Sequence, residues 1–185
     1  MGSEVSWSEM ARDSILLKAV SSWRSDANSW LEGSFERLAE TVRVNPLRAD
    51  SDWTENWLEG IGSVRIPWFT GPGSAWTLPF KRRGAEGETR EVLKALHETG
   101  RLTRQEAVSM LPVLALDARP GDLVLDMCAS PGSKTTQIAE CLGDSGLVLG
   151  NEVVNSRVNM LVSNTHRHGS QCIAIVNHDG RHMPM

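Results

Sequence analysis

Short apolar runs alternate with segments of helical periodicity through the carboxyl-terminal half of the chain. The runs Leu123–Leu125, Gly146–Gly150 and Cys172–Val176 have the length of buried strands, and apolar residues recur at helical spacing between them. Acidic residues stand at or just after the three strand ends, and these are Asp126, Glu152 and Asp179. The repeat predicts three βα units of a doubly wound parallel sheet, whose strands have their carboxyl ends at one edge.

The pattern at the beginning of the chain predicts two helices and a strand. Apolar residues at helical spacing cover residues 8–22 and 30–40, and we expect both helices to serve core packing only. Alternating residues in Thr41–Pro46 predict a strand that stops at the Asn-Pro turn.

A further helical pattern precedes the three units. It covers residues 86–99, with Gly100 as the expected stop. Thr103, followed by Glu106, predicts a capping box that opens another helix. Both helices would lead the chain into the strand ending at Asp126.

Residues 47–85 combine tryptophans with glycines and prolines. Aromatic side chains near basic ones can stack on splayed bases, at about 1 to 3 kcal/mol per base. The basic residues Lys81–Arg83 follow the aromatic ones rather than alternate with them, which favours tryptophans that pack a loop-rich region. The tryptophans in question are Trp53, Trp57, Trp68 and Trp76.

Composition excludes several classes of protein. The chain of 185 residues is 40% hydrophobic, which indicates a folded protein, and its net charge of −4 weighs mildly against nucleic-acid binding. The cysteines lack metal-ligand spacing, so neither a disulfide framework nor a zinc site is indicated. No apolar stretch is long enough to span a membrane, and no signal pattern begins the chain. We expect a soluble, intracellular protein.

The loop after the first predicted strand is the candidate binding site. The segment Leu123–Thr136 reads LVLDMCASPGSKTT, and its small residues allow backbone N–H groups to approach a carboxylate or phosphate beside a helix N-terminus. A Walker loop is excluded because Lys134 follows serine, and a dinucleotide fingerprint is excluded because Gly132 is the only glycine in the loop. An ordinary βα turn is the alternative.

The motif Asp126–Thr136 resembles the DxCAAPGxKT signature of the Sun-type family of RNA cytosine-5 methyltransferases, with Ser130 where alanine is usual. Leu102–Pro112, reading LTRQEAVSMLP, is similar to the segment before the loop in the eukaryotic tRNA-modifying branch. Thr41–Asn45 and Pro67–Trp76 resemble further motifs of that branch, so the likeness covers residues 40–185. It implies S-adenosylmethionine as the cofactor, RNA, foremost tRNA, as the substrate, and Arg43 as a phosphate contact. A solvated edge-strand arginine is the alternative for Arg43.

Strand-end acids suit an adenosyl ligand. Glu152 can accept hydrogen bonds from a ribose diol and Asp179 from an adenine amino group, while Asp126 orders the loop backbone. The resemblance assigns Glu152 and Asp179 the same roles, with Glu152 in place of the usual aspartate, and adds Arg157 near the cofactor. The complete cofactor-binding set is Cys128, Ala129, Ser130, Pro131, Gly132, Ser133, Lys134, Glu152, Arg157 and Asp179.

Cytosine-5 methylation needs a nucleophile, typically a cysteine of low pKa. The resemblance places the family's two cysteines after the third acid, so we expect them beyond Met185 and assign no catalytic residue or metal site to this chain. Cys128 matches a cofactor contact, and Cys141 and Cys172 are expected to be structural. The histidines are expected at the surface, and they are His166, His168, His178 and His182.

These expectations define a truncated α/β protein: a Rossmann-like class I methyltransferase sheet of three βα units with a helical, loop-rich N-terminal annex. The predicted regions are 1–41, helical; 42–85, RNA-contacting; and 86–185, cofactor-binding. The fragment is expected to be inactive alone, monomeric, free of membrane and metal, and intracellular, with the nucleus favoured by the resemblance. A non-catalytic RNA-binding or regulatory module, or a methyltransferase acting on a small molecule or protein, are the alternatives.

Overall fold

The computed structural model describes residue 11 and residues 13–36 and 38–183. The chain divides into two compact units, residues 1–38 and 39–185. The first unit contains the helices α1 (Ile15–Ser21) and α2 (Ala27–Ser34), which pack their apolar faces together. Its buried residues are Leu17, Val20, Ala27 and Leu31.

The predicted helix over residues 30–40 is wrong at both ends. Helix α2 begins at Ala27 and stops at Ser34, and Phe35 and Leu38 of the expected apolar stripe are exposed. Residues 39 and 40 belong to a strand, because their backbone pairs with a neighbouring strand rather than continuing a helix. The amino-terminal part of the first predicted helix lies outside the described residues.

An antiparallel sheet begins the second unit. Its strands are β1 (Ala39–Val44), β2 (Val64–Arg65), β3 (Ser74–Lys81) and β4 (Leu102–Arg104), in the order β2-β3-β1-β4. Helices α3 (Ser51–Gly60) and α4 (Gly87–Glu98) contribute buried leucines to its core. The core residues are Val42, Val44, Leu58, Trp76, Leu78, Leu93, Leu96 and Leu102.

The region predicted to be loop-rich contains a helix and a strand of eight residues. Trp76 lies in β3 and is 4% exposed, and Trp57 packs against the same core, so the packing interpretation is confirmed for these two. Trp53 and Trp68 are exposed.

The predicted capping box at Thr103 is wrong. Thr103 lies in β4 opposite Arg43, and the next helix, α5 (Ala107–Leu116), begins after Glu106. Backbone pairing with the edge of β1 outweighs the local helix signal, because it satisfies backbone groups that the edge would otherwise leave free. The helix predicted over residues 86–99 is confirmed, and Gly100 after it has φ +70°.

The remaining strands are parallel, as predicted. They are β5 (Leu123–Asp126), β6 (Leu147–Asn151) and β7 (Ile173–Val176), in the order β5-β6-β7. Helices α6 (Ser133–Leu142) and α7 (Asn155–His168) connect them, and a 3₁₀ turn, Gly180–His182, follows. The core between this sheet and its helices contains Val113, Ile138, Ala139, Leu142, Val148 and Cys172.

The apolar runs are buried on one face only. Leu123, Leu125 and Leu147 are exposed to between 38% and 74%, whereas Val148 on the opposite face of β6 is fully buried. In the described part of the chain, no helix is both long and apolar enough to cross a membrane.

Candidate functional site

The loop between β5 and α6 is held by hydrogen bonds from the elements beside it. Asp126 accepts a bond from the Cys128 N–H at 3.3 Å and one from the Thr135 hydroxyl at 2.7 Å. The Ala129 N–H donates to the Asn151 carbonyl at 2.8 Å. The predicted role of Asp126 in ordering the loop backbone is therefore confirmed.

Glycine is required where the loop meets α6. Gly132 has φ +107°, a conformation that side chains disfavour, and a Cβ atom there would lie 3.1 Å from Leu161 Cδ1. No side chain caps the helix at this position. The first-turn N–H groups, beginning at Ser133, are therefore directed toward the loop and present partial positive charge at the sheet edge.

Helix α7 holds the same loop through hydrogen bonds. Arg157 Nη2 donates to the Ser130 carbonyl at 2.7 Å, and the Ser130 hydroxyl donates to the Arg157 carbonyl at 3.0 Å. Asn164 donates to the Pro131 carbonyl at 2.6 Å. These bonds fix the middle of the loop against a helix rather than leaving it free.

Glu152 lies at the end of β6 with its side chain only 4% exposed. Its Oε1 accepts the Val154 N–H at 2.9 Å, and its Oε2 lies 3.5 Å from Arg157 Nε. Arg157, 53% exposed, therefore connects Glu152 to the loop.

Asp179 follows β7 and remains partly accessible. Arg181 donates to its carboxylate through the guanidinium and the backbone N–H, and these hydrogen bonds lower the Asp179 pKa to about 2. The side chain is 34% exposed and is anionic at neutral pH. It can accept a hydrogen bond from a ligand at the carboxyl edge of the sheet.

The sequence interpretation missed Asn151, which joins the three strand ends. Its amide donates to the carbonyls of Met127 and His178 at 3.1 and 3.0 Å, and its oxygen accepts the His178 N–H at 3.0 Å. Asn151 is 1% exposed. An amide at the end of a buried strand is the signal that could have identified it, because such a group must be hydrogen-bonded.

Arg43 is neither a phosphate contact nor a solvated edge arginine. Its side chain is fully buried, and Nε and Nη2 bind the two oxygens of Glu140 at 2.6 and 2.9 Å. It also donates to Thr136 Oγ1 at 3.2 Å and to the Gln105 side chain. The guanidinium thus connects β1 with α6, and it cannot reach a ligand in solution.

Glu140 has a second partner in His168, whose Nε2 lies 3.0 Å from Glu140 Oε1. Burial alone would raise the Glu140 pKa, but the Arg43 charge and the hydrogen bonds from His168 and Arg43 outweigh it and lower the pKa. His168 is 3% exposed, so its predicted surface position is wrong. The other three histidines predicted at the surface are exposed: His166, His178 and His182.

The three cysteines differ in environment. Cys128 lies exposed in the loop, whereas Cys141 is half-buried and Cys172 is buried. Burial raises the pKa of both Cys141 and Cys172, which disfavours the thiolate. Both positions agree with the structural role that the sequence predicted.

A solved structure supports the class that this fold and loop define. A methyltransferase homolog protein from Pyrococcus horikoshii matches with a TM-score of 0.67 and 27% identity, over 84% of this chain and 49% of that one. The parallel sheet with its ordered first loop is a Rossmann-like class I methyltransferase sheet, preceded by the annex.

Sequence comparison then identifies the family. Residues 113–185 match the family described as 16S rRNA methyltransferase RsmB/F. The tRNA (cytosine(34)-C(5))-methyltransferase of Drosophila melanogaster is 41% identical over 134 residues, 64% of this chain and 18% of that protein. A multisite-specific tRNA:(cytosine-C(5))-methyltransferase of Saccharomyces cerevisiae is 37% identical over 167 residues, 83% of this chain and 24% of that protein. These matches are to the family that the sequence motifs resemble, the Sun-type RNA cytosine-5 methyltransferases, and the chain spans less than a quarter of the length of both relatives.

Proposed function

We propose that this chain is the cofactor-binding part of an S-adenosylmethionine-dependent RNA cytosine-5 methyltransferase that acts on tRNA. The observation that carries the proposal is the loop Cys128–Lys134, ordered from both sides at the carboxyl edge of three parallel strands. The curated relatives named above support the choice of RNA as substrate and of cytosine carbon 5 as the methylated atom.

In this proposal the loop holds the methionine part of the cofactor. The uncapped start of α6 attracts the methionine carboxylate, because helix N-termini bind anions. Glu152 binds the ribose hydroxyls after Arg157 turns aside, and Asp179 accepts from the adenine amino group. The remaining contacts come from the backbone of the predicted set: Cys128, Ala129, Ser130, Pro131, Gly132, Ser133 and Lys134.

The chain alone is proposed to bind cofactor without catalysing transfer. The reaction needs a thiolate to add to cytosine carbon 6, so that carbon 5 can accept the methyl group. Cys141 and Cys172 have raised pKa values, and Cys128 belongs to the proposed cofactor loop. None of the three suits the nucleophile.

Calorimetry with S-adenosylhomocysteine tests the cofactor site. We expect one saturable binding event, weakened about tenfold or more by Asp179→Ala or Glu152→Ala, since each removes a charge-assisted hydrogen bond. Glu91→Gln, on the exposed face of α4, is the matched control and should bind as the parent does. Equal heats for all four proteins would contradict the assigned site.

A methyl-transfer assay with labelled cofactor and unmodified tRNA tests the proposal that the chain alone does not catalyse transfer. We expect no incorporation by the chain alone. Incorporation that is abolished by Cys128→Ser would instead show that the loop cysteine is the nucleophile.

A non-catalytic RNA-binding module is the second candidate function. RNA binding that persists when the cofactor site is disabled would support that candidate.

We further propose that residues 42–85 contribute RNA contacts, that the protein is a monomer, and that it acts inside the cell, with the nucleus favoured.

A further inference from the structure

A cleft of about 210 Å³ lies beside the candidate cofactor site but does not include its acids. His97 on α4 and Arg104 on β4 line it, together with Arg167 and His168 at the end of α7. The loop residues Pro131–Ser133 form part of the cleft as well. We call it the basic cleft, because two arginines and two histidines line it and, among the described residues, no acid does.

Arg167 brings a positive charge that no carboxylate neutralises. Its Nη1 donates to His97 Nε2 at 2.8 Å, and it forms no ion pair within the described ranges. Burial, and then the charge of Arg167, lower the pKa of His97, so the ring that holds the guanidinium is neutral at pH 7. The Arg167 side chain is therefore held in place, while its positive charge has no carboxylate partner among the described residues.

Arg104 also lines the cleft, and its positive charge is only partly neutralised. Its Nε lies 3.2 Å from Glu40, and the side chain is 42% exposed. Ser133 of the loop also lines the cavity. The negative end of α7 is covered, because Arg48 donates to the carbonyls of Arg167 and His168 at 3.0 Å each.

A buried nitrogen in the cleft wall also lacks a partner. His168 is 3% exposed, and within the described residues its Nδ1 has no hydrogen bond. Such a group costs free energy unless a ligand or water satisfies it. This observation is independent of the arginines and favours a polar group close to His168.

Size limits what the cleft can accept. Pockets that enclose a whole small molecule usually measure about 300 to 1,000 Å³, so a cavity of this size suits one anionic group rather than a nucleotide. Guanidinium groups match the oxygens of phosphate in charge and geometry.

We propose that the basic cleft binds a backbone phosphate of the RNA, between Arg104 and Arg167. This inference rests on the proposed function, because it takes RNA as the ligand. It assigns the antiparallel sheet a role in substrate binding through β4 rather than through the buried Arg43 of β1.

Salt dependence of RNA binding tests the proposal. The probe is a fluorescein-labelled single-stranded RNA, and the proteins are the parent, Arg104→Gln, Arg167→Gln and the double variant. Each lost phosphate contact should reduce the slope of log affinity against log salt by about 0.7. Arg90→Gln, an exposed arginine on α4 outside the cleft, removes the same charge and should leave the slope unchanged.

Two outcomes would overturn the proposal: equal slopes for the double variant and Arg90→Gln, or no RNA binding by the parent. Titration with inorganic phosphate distinguishes a site for RNA phosphate from a site for free phosphate. If the double variant loses phosphate binding while the salt dependence of its RNA binding stays as in the parent, the cleft is a site for free phosphate. S-adenosylhomocysteine calorimetry on the same variants should be unchanged. Failure of cofactor binding in the parent, with the RNA slope still reduced, would refute the proposed function alone.

Discussion

At the residue scale, Arg43 shows how burial changes the meaning of a side chain. In the sequence it stands in an alternating strand pattern and resembles a phosphate contact. In the structure it has no exposed surface and binds both oxygens of Glu140. The two residues are far apart in sequence, so local pattern could not pair them. A buried guanidinium is tolerated here because a carboxylate and several oxygens satisfy it.

Removing one partner of this pair should be strongly destabilising. Arg43→Met leaves Glu140 buried with one neutralising partner fewer, at a cost of about 3 to 5 kcal/mol in the free energy of unfolding. Adding Glu140→Leu should recover part of the loss. Urea unfolding followed by circular dichroism measures both, and Arg119→Met, which breaks an exposed pair with Asp117, is the control. A loss no larger than that of the control would contradict the proposed contribution of the pair.

The pH dependence of this loss has a definite sign. The Glu140 pKa is lowered in the folded parent, so its stabilisation is complete above the unfolded value of about 4.3 and is lost as pH falls through the lower folded value. Without Arg43, burial should raise the Glu140 pKa instead. The difference between parent and Arg43→Met should therefore shrink in acid, and a constant difference from pH 7 to pH 3 would contradict this account.

At the element scale, the loop and α6 form one unit whose backbone geometry depends on Gly132. The sequence predicted the strand, the loop and the helix, because apolar periodicity and small residues are local signals. It could not show that Leu161, on α7, approaches the glycine from the other side. Nor could it show that Asn151 ties the loop to the following strand ends.

Gly132→Ala should lower both stability and cofactor affinity. The residue would adopt φ +107° with its Cβ against Leu161, at a cost of about 1 to 3 kcal/mol, and relief of the strain would move the loop. Gly143→Ala, at the other end of α6, has φ +56° and nothing within 4 Å of the added Cβ. This control should lose some stability and keep S-adenosylhomocysteine affinity, whereas equal affinity for both variants would show that the loop tolerates the change.

At the scale of the whole second unit, a buried polar layer joins the antiparallel and parallel sheets. Gln105 donates to the Gln137 side chain at 2.9 Å, beside the bonds between Arg43 and Glu140. Gln105 comes directly after β4, the strand that the sequence misassigned to a helix. The antiparallel sheet is therefore fixed to the helix that follows the candidate cofactor loop, and Arg104 and Arg167 line one cleft.

The sequence by itself determined the three parallel strands with the two helices between them, the order of the loop and its helix, the strand-end acids and the likeness to the family. These features depend on periodicity, turn residues and short motifs, which neighbouring residues encode. Only the tertiary structure decided that β4 is a strand, that Arg43 and His168 are buried, and that Arg157 lies beside Glu152 and binds the loop. Each of these depends on contact between distant segments, where backbone pairing or the compensation of a buried charge outweighs local preference.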